Sequence, residues 1–225
     1  MKANELRIGI IIPDRGDRPE FLENCKRMIA NQTINDVFIM VIDYPPINSD
    51  CDITPRYRKG YEFLSQHNFD VILLMENDDY YAPNYIETMI SEWQKHGEPD
   101  IFGTNYTIYY HIGLLQYERL IHYRRASAMN TLLKPNLPIQ WPVDSEPYTD
   151  IHLWKQLKGI TFEPKEIISI GIKHNVGKTG GHYHSTKLDR YKFNDPEMSY
   201  LKLYMDPESF TFYKSQHEKI QSSFK

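Results

Sequence analysis

Short, unbroken apolar runs alternate with stretches of helical spacing over the first hundred or so residues. Leu6 to Ile12 (L-R-I-G-I-I-I) and Val37 to Ile42 (V-F-I-M-V-I) are rich in β-branched residues and read as buried strands. Between them, Phe21, Leu22, Cys25, Met28 and Ile29 recur at helical spacing behind Pro19, a residue suited to a first helical turn. Strand, helix and strand in this order form a βαβ unit, which implies a parallel sheet. A Pro-rich loop runs from Tyr44 to Pro55, and a helix is expected from Arg56 to about Gln66. Val71 to Met75 is a third apolar run. A helix follows Pro83 and carries Met89, Ile90 and Trp93 inward until Gly97 to Pro99 stops it, ahead of a short strand at 100–104.

The second half is patterned differently. Tyr106 to Arg125 alternates aromatic and polar residues, which predicts an antiparallel hairpin. Ala126 to Leu133 fits a short helix or part of a strand, and Pro135 to Pro147 reads as a loop. Thr149 and Asp150 stand where a cap would open a helix over Ile151 to Lys158, which Gly159 ends. Ile167 to Ile172 is a last strand. The tail is expected to be helical after Asp195-Pro196 and again after Asp206-Pro207.

The third apolar run carries the chemistry. It leads directly into Glu76, Asp78 and Asp79. At the carboxyl end of a buried strand in an α/β sheet, these acids stand where such folds bind ligands. Crowded carboxylates repel one another unless a proton or cation separates them. A hard divalent ion, Mg²⁺ or Mn²⁺, accounts for them economically and would complete its shell with substrate phosphates. A solvated acidic turn, with Asp79 only capping the next helix, is the plainer alternative. Lys173 to His184 is the other informative stretch: two Lys, three His and three Gly, with no acid. It suits a cationic lid over a diphosphate, with Lys178 facing the phosphates. His174, His182 and His184 each offer an imidazole to a metal.

A formal net charge of −4 gives no ground for nucleic-acid binding. Seventeen Tyr residues offer faces for sugar or base stacking, or reflect composition alone. Cys25 and Cys51 make neither a metal spacing nor a disulfide framework, so a reducing compartment, the cytoplasm, is the default. Residues 1–5 have no signal-peptide core, and no run is long enough to span a bilayer.

Taken in order, these motifs resemble a GT-A fold nucleotide-sugar glycosyltransferase, most closely glycosyltransferase family 2, over roughly residues 6 to 160. The family's opening strand and R-P-x-x-L stand as Ile8 to Pro13 and Arg18-Pro19-Glu20-Phe21-Leu22, and its N-Q-T as Asn31-Gln32-Thr33. Its D-x-D-D-x-x-x-P metal motif stands as Glu76-Asn77-Asp78-Asp79-Tyr80-Tyr81-Ala82-Pro83. Its base motif, E-D-x-x-L at a helix start, stands as Thr149-Asp150-Ile151-His152-Leu153. The resemblance implies a single α/β domain with a Rossmann-like, mostly parallel central sheet flanked by helices and a smaller antiparallel acceptor-side portion. It implies a nucleotide-binding half to about residue 105, an acceptor-side half with the lid loop at about 106–185, and a helical tail at 186–225.

Residue by residue, it implies metal ligands at Asp78, Asp79 and His174, and a catalytic base at Asp150. Donor contacts fall at Pro13, Asp14, Arg15, Asp43, Arg56 and Asn77, with Arg58 as an alternative to Arg56. The implied reaction is inverting, Mn²⁺- or Mg²⁺-dependent transfer from a nucleoside-diphosphate sugar, UDP-linked by expectation, to a hydroxyl of a glycan or other acceptor. Two departures stand out: Glu76 replaces the first Asp of the metal motif, and Thr149 replaces the first acid of the base motif, with Asp144 and Glu146 close before it. A sugar-1-phosphate nucleotidyltransferase is a rival, although it wants a Gly-rich basic loop after the first strand, where Asp14 to Arg18 holds one Gly and two acids. An inactive sugar- or nucleotide-binding module is the non-enzymatic rival.

Overall fold

The apolar runs Ile8–Pro13 (β1), Val37–Ile42 (β2) and Val71–Leu74 (β3) pair in parallel, with β1 between the other two. The computed structural model describes residues 6–44, 51–174 and 191–222. Three further strands complete a six-stranded sheet in the order β2-β1-β3-β8-β5-β9: β5 (Ile101–Thr104), β8 (Thr131–Leu133) and β9 (Gly159–Phe162). Only β8 runs against its neighbours, β3 on one side and β5 on the other. A mostly parallel central sheet flanked by helices is therefore present, as the sequence implies.

The runs are apolar throughout because both faces of the sheet are covered. Successive side chains alternate between faces. Ile8, Ile10 and Ile12 join Val71 and Leu73 in a core shared with α1 (Pro19–Ala30) and α3 (Tyr85–Lys95). Ile11, Ile72 and Leu74 point the other way, against α2 (Ile53–Ser65) and α4 (Thr149–Gln156). Helix α2 lies close on β1: a Cβ on Gly60 would stand 2.6 Å from the Ile11 side chain. Glycine there sets how near Arg56 and Tyr57 come to the strand ends.

A second, five-stranded sheet has the order β11-β7-β6-β10-β4. Its hairpin, β6 (Tyr106–His111) with β7 (Gln116–Ile121), is the antiparallel pair that the aromatic–polar alternation predicts. Strand β10 (Ser169–Lys173) runs parallel to β6 and antiparallel to β4 (Tyr80–Tyr81), and β11 (Phe193–Asn194) closes the far edge. Two helices end the described chain, α5 (Ser199–Tyr204) and α6 (Pro207–Ser222). Among the described residues no helix is long and apolar enough to cross a membrane.

Three of the differences from the sequence expectation bear on the frame. Helix α2 begins at Ile53 and takes in Thr54 and Pro55, because proline is tolerated in a first turn whose N–H groups lack intrahelical partners. Helix α4 ends at Gln156, with the chain already extended at Leu157, so Gly159 opens strand β9 rather than ending the helix. The Ala126 to Leu133 stretch splits into a 3₁₀ turn, Ala128–Asn130, followed by β8.

Candidate active site

The parallel strands deliver their loops to one edge, and hydrogen bonds fix those loops to each other. Asp14, directly after β1, is buried. Its N–H donates to the Ile42 carbonyl at 3.0 Å, and its Oδ1 accepts from the Asn77 amide at 2.6 Å. Strands β1, β2 and β3 are thus tied together where they end. Arg56 is fully buried behind them. It donates to the carbonyls of Asp14 and Ile42 (2.8 Å to the latter) and pairs with Asp52 at 2.7 Å. Its guanidinium also lies 4.5 Å from the Tyr44 ring centroid. Both terminal nitrogens are committed inside the protein, so Arg56 holds the loops rather than offering a free cation to a phosphate. Arg58 is paired with Asp144 at 2.8 Å, and Arg15 stands half-buried with its Nε 3.8 Å from Asp52. Pro13 ends β1, and Asp43 is exposed at the end of β2.

The Arg56 arrangement has a measurable consequence. Asp52 is 3% exposed, so removing its partner strands a buried carboxylate. An Arg56→Met variant is expected to lose about 3 kcal/mol of stability. The check is the urea midpoint, which should fall with little change in the slope.

The acidic cluster lies beside this floor. Glu76, Asp78 and Asp79 bring one carboxylate oxygen each to within 4.8 Å of one another. Asp78 Oδ2 is 2.7 Å from Arg18 Nη1 and 2.8 Å from His174 Nε2. Burial pushes the Asp78 carboxyl up, but Arg18 and His174 outweigh it and hold the group well below the carboxylate range. Asp79 is anchored by the Ile172 N–H, 2.7 Å from Oδ1. Its Oδ2 is buried with no hydrogen-bond partner among the described residues. Burial, with the charges of Asp78 and Glu76, pushes Asp79 well up despite the opposing Lys173. Burial likewise raises Glu76 to about 7, with Lys173 opposing. Lys173 itself is buried; desolvation works against its charge, but Asp79, Asp78 and Glu76 outweigh that and hold it protonated.

Supports come from the tail as well. The Tyr213 hydroxyl, on α6, donates to the Asp78 carbonyl at 3.2 Å, and the Tyr81 hydroxyl accepts from the Glu76 N–H at 2.7 Å. Phe21 packs against the His174 ring at 4.9 Å between centroids.

Oxygen-rich ligands with one imidazole suit Mg²⁺ or Mn²⁺, and an orphaned carboxylate oxygen inside the cluster is the feature such an ion would satisfy. The residues therefore fit a divalent metal. Glu76, which the sequence reading set aside in favour of Asp78 and Asp79, brings its carboxylate into the same group.

A cavity of about 130 Å³ joins this cluster to the start of α4. Glu76, Asp79 and Lys173 line one side, and Arg125 and Asp150 the other. Asp150 sits in the first turn of α4, while the capping position is Tyr148. Burial pushes the Asp150 carboxyl up, and Arg125, whose Nη1 donates to its Oδ2, opposes that. Asp144 and Glu146 are engaged elsewhere, the first with Arg58 and the second 3.5 Å from His152. Thr149, the substituted position, hydrogen-bonds Thr54 and ties α4 to the start of α2. Tyr57 also lines the cavity, and its hydroxyl is fully buried with no partner among the described residues.

The structure thus brings Asp14, Asn77, Asp78, Asp79, His174 and Asp150 to one edge of the sheet. Lys178, His182 and His184, together with most of the expected lid, lie outside the described residues. Arg18, Arg125 and Tyr57 are site residues to which the sequence gives no role, while Lys173, expected in the lid, stands buried beside the carboxylates. Arg18 has a signal, since it stands in the R-P-x-x-L motif; Arg125 and Tyr57 have none that a single sequence displays.

No family model matches the chain, and no curated protein matches it. Among solved structures, A197 from STIV is 13% identical with a TM-score of 0.47, over 70% of this chain and 82% of that one. S. aureus TarS 1-349 in complex with UDP-GlcNAc is 10% identical with a TM-score of 0.48, over 78% of this chain and 60% of that one. A further TarS structure is 10% identical with a TM-score of 0.47, and the chain spans 37% of its length. Likenesses of this size decide neither the fold nor the activity of this chain.

Proposed function

We propose that the protein is a metal-dependent glycosyltransferase that moves a sugar from a nucleoside-diphosphate sugar, UDP-linked in our reading, to an acceptor hydroxyl with inversion. The observation that carries this is the shared cavity, with Glu76, Asp79 and Lys173 of the acidic cluster at one side and the buried carboxylate of Asp150 at the other. Such a cavity separates a place for a charged leaving group from a place for a base.

Each residue has a distinct task in this reading. Asp14 and Asn77 shape the donor side at the strand ends, and Asp43, exposed beside them, accepts hydrogen bonds from the base or ribose. Asp78, Asp79, Glu76 and His174 hold the divalent ion, which when bound stabilises charge on the departing diphosphate. Lys173, fixed in its charged form, adds to the positive potential there. Asp150 takes the proton of the acceptor hydroxyl as its oxygen bonds to the anomeric carbon. The bond from that carbon to the phosphate oxygen breaks, and the nucleoside diphosphate leaves with the electron pair. Arg125 holds the Asp150 carboxylate in place. The Tyr57 hydroxyl, unsatisfied in the wall, is suited to a sugar hydroxyl.

Nucleotidyl transfer is less well supported, because the loop after β1 offers buried Asp14 rather than free cations to a triphosphate. The test is whether the protein releases a nucleoside diphosphate from a nucleotide sugar only when Mn²⁺ or Mg²⁺ is present.

A further inference from the structure

Arg18 occupies an unusual position for a residue outside the floor of the site. Its Nη1 lies 2.7 Å from Asp78 Oδ2 and 2.7 Å from His174 Nε2, and those two atoms are themselves 2.8 Å apart. Its Nη2 is 3.3 Å from the Asn77 side-chain oxygen. One guanidinium therefore touches the two side chains that the proposed metal site would use most directly. We propose that Arg18 is a built-in counter-cation that competes with the divalent ion for Asp78 and His174, so that loading the ion requires Arg18 to withdraw.

The inference rests on the metal reading above and follows from three observations. First, the atoms are shared. His174 Nε2 faces both Arg18 Nη1 and Asp78 Oδ2, and a metal would need the lone pair of that same nitrogen. Asp78 Oδ2 is likewise already claimed at short range. A dication on these atoms and a guanidinium on the same atoms would be a few ångströms apart and would repel strongly. Second, the charges need a cation in either state. Glu76, Asp78 and Asp79 are crowded together, and Lys173 is a single compensating charge among them. Arg18 supplies a second, with its Nη1 held 2.7 Å from Asp78 Oδ2. The orphaned Asp79 Oδ2 marks the part of the cluster that Arg18 does not satisfy.

Third, Arg18 has a way out. Its side chain is 16% exposed, against 1% for His174, and its other ion-pair partner, Asp17, is 46% exposed. It precedes α1, on a loop whose Gly16 has a positive φ and open space where a Cβ would stand. Withdrawal therefore needs a rotamer and loop change, not unpacking of the core.

The test is Mn²⁺ binding without any donor, measured from the electron paramagnetic resonance of free Mn²⁺, for the wild type, Arg18→Gln and Arg18→Lys. Arg18→Gln is expected to bind Mn²⁺ at least about tenfold more tightly, because one nearby positive charge is gone. Arg18→Lys keeps the charge and should stay near the wild type. In the wild-type protein, labelling of Arg18 by phenylglyoxal, followed by mass spectrometry, should speed up when Mn²⁺ is added. Should Arg18→Gln fail to fold by circular dichroism, the labelling arm decides. Wild-type binding with no gain in Arg18→Gln, or Mn²⁺ slowing the labelling of Arg18, overturns the competition and leaves the metal reading standing. No binding by either protein overturns both.

Discussion

Replacing Asp78 with Asn is expected to lower sugar transfer by about 10²–10³-fold, the usual cost of losing one main stabiliser of developing charge. Asn has nearly the same shape and can still accept a hydrogen bond from Arg18, so the fold should survive. What it loses is the negative charge on the side chain that meets both Arg18 at 2.7 Å and His174 at 2.8 Å. Of the three clustered acids, Asp78 is the one held firmly ionised, while burial pushes Glu76 and Asp79 upward. It is therefore the carboxylate best prepared to receive a cation. The check is transfer measured across a Mn²⁺ titration, with circular dichroism as the folding control. An Asp78→Asn protein that keeps full activity in EDTA would remove the metal from the account.

Asp150→Asn should cut kcat by about 10²–10⁴-fold while donor affinity stays close to the wild type. The side chain is buried beside the cavity, and the two acids just before it in sequence, Asp144 and Glu146, are engaged with Arg58 and His152. Its first-turn position does not make it the helix cap, which falls at Tyr148. Arg125 is partly exposed, so water can solvate it once its partner is neutral. The sign of the pH dependence follows. A base works only when ionised, and burial raises the Asp150 pKa above the ordinary carboxylate value. Activity should therefore fall as pH drops through that raised value. Calorimetry of donor binding checks the split: loss of donor affinity along with kcat would mark Asp150 as structural.

Much of this frame is legible in the sequence, for a physical reason. Strands β1, β2 and β3 are covered on both faces, so their apolar runs are unbroken, and α1 and α3 bury one stripe each. The carboxylates at the end of β3 follow from that frame alone. Strand β8 does not: at three residues it carries no period, and its place between β3 and β5 is set by long-range pairing. The family resemblance implies a donor contact at Arg56, which matches a basic position before the third strand. The commitment of Arg56 to Asp52 and to two backbone carbonyls depends on how the Pro-rich loop folds back, which no local pattern records. Lys173 belonged by sequence to a cationic lid. Alternation along β10 puts Ile170 and Ile172 into the core and turns Lys173 to the other face, over the Tyr109 ring at 5.2 Å. There it meets the carboxylates as a buried counter-charge.

The most direct measurement is release of nucleoside diphosphate from a panel of nucleotide sugars, with Mn²⁺, with Mg²⁺ and with EDTA, in the presence and absence of simple sugar acceptors. Turnover of one nucleotide's sugars, UDP-linked ones by our reading, that requires the metal and is lost in Asp78→Asn is the predicted result. Turnover that is unchanged in EDTA, or pyrophosphate released from a nucleoside triphosphate and a sugar phosphate instead, would contradict the account.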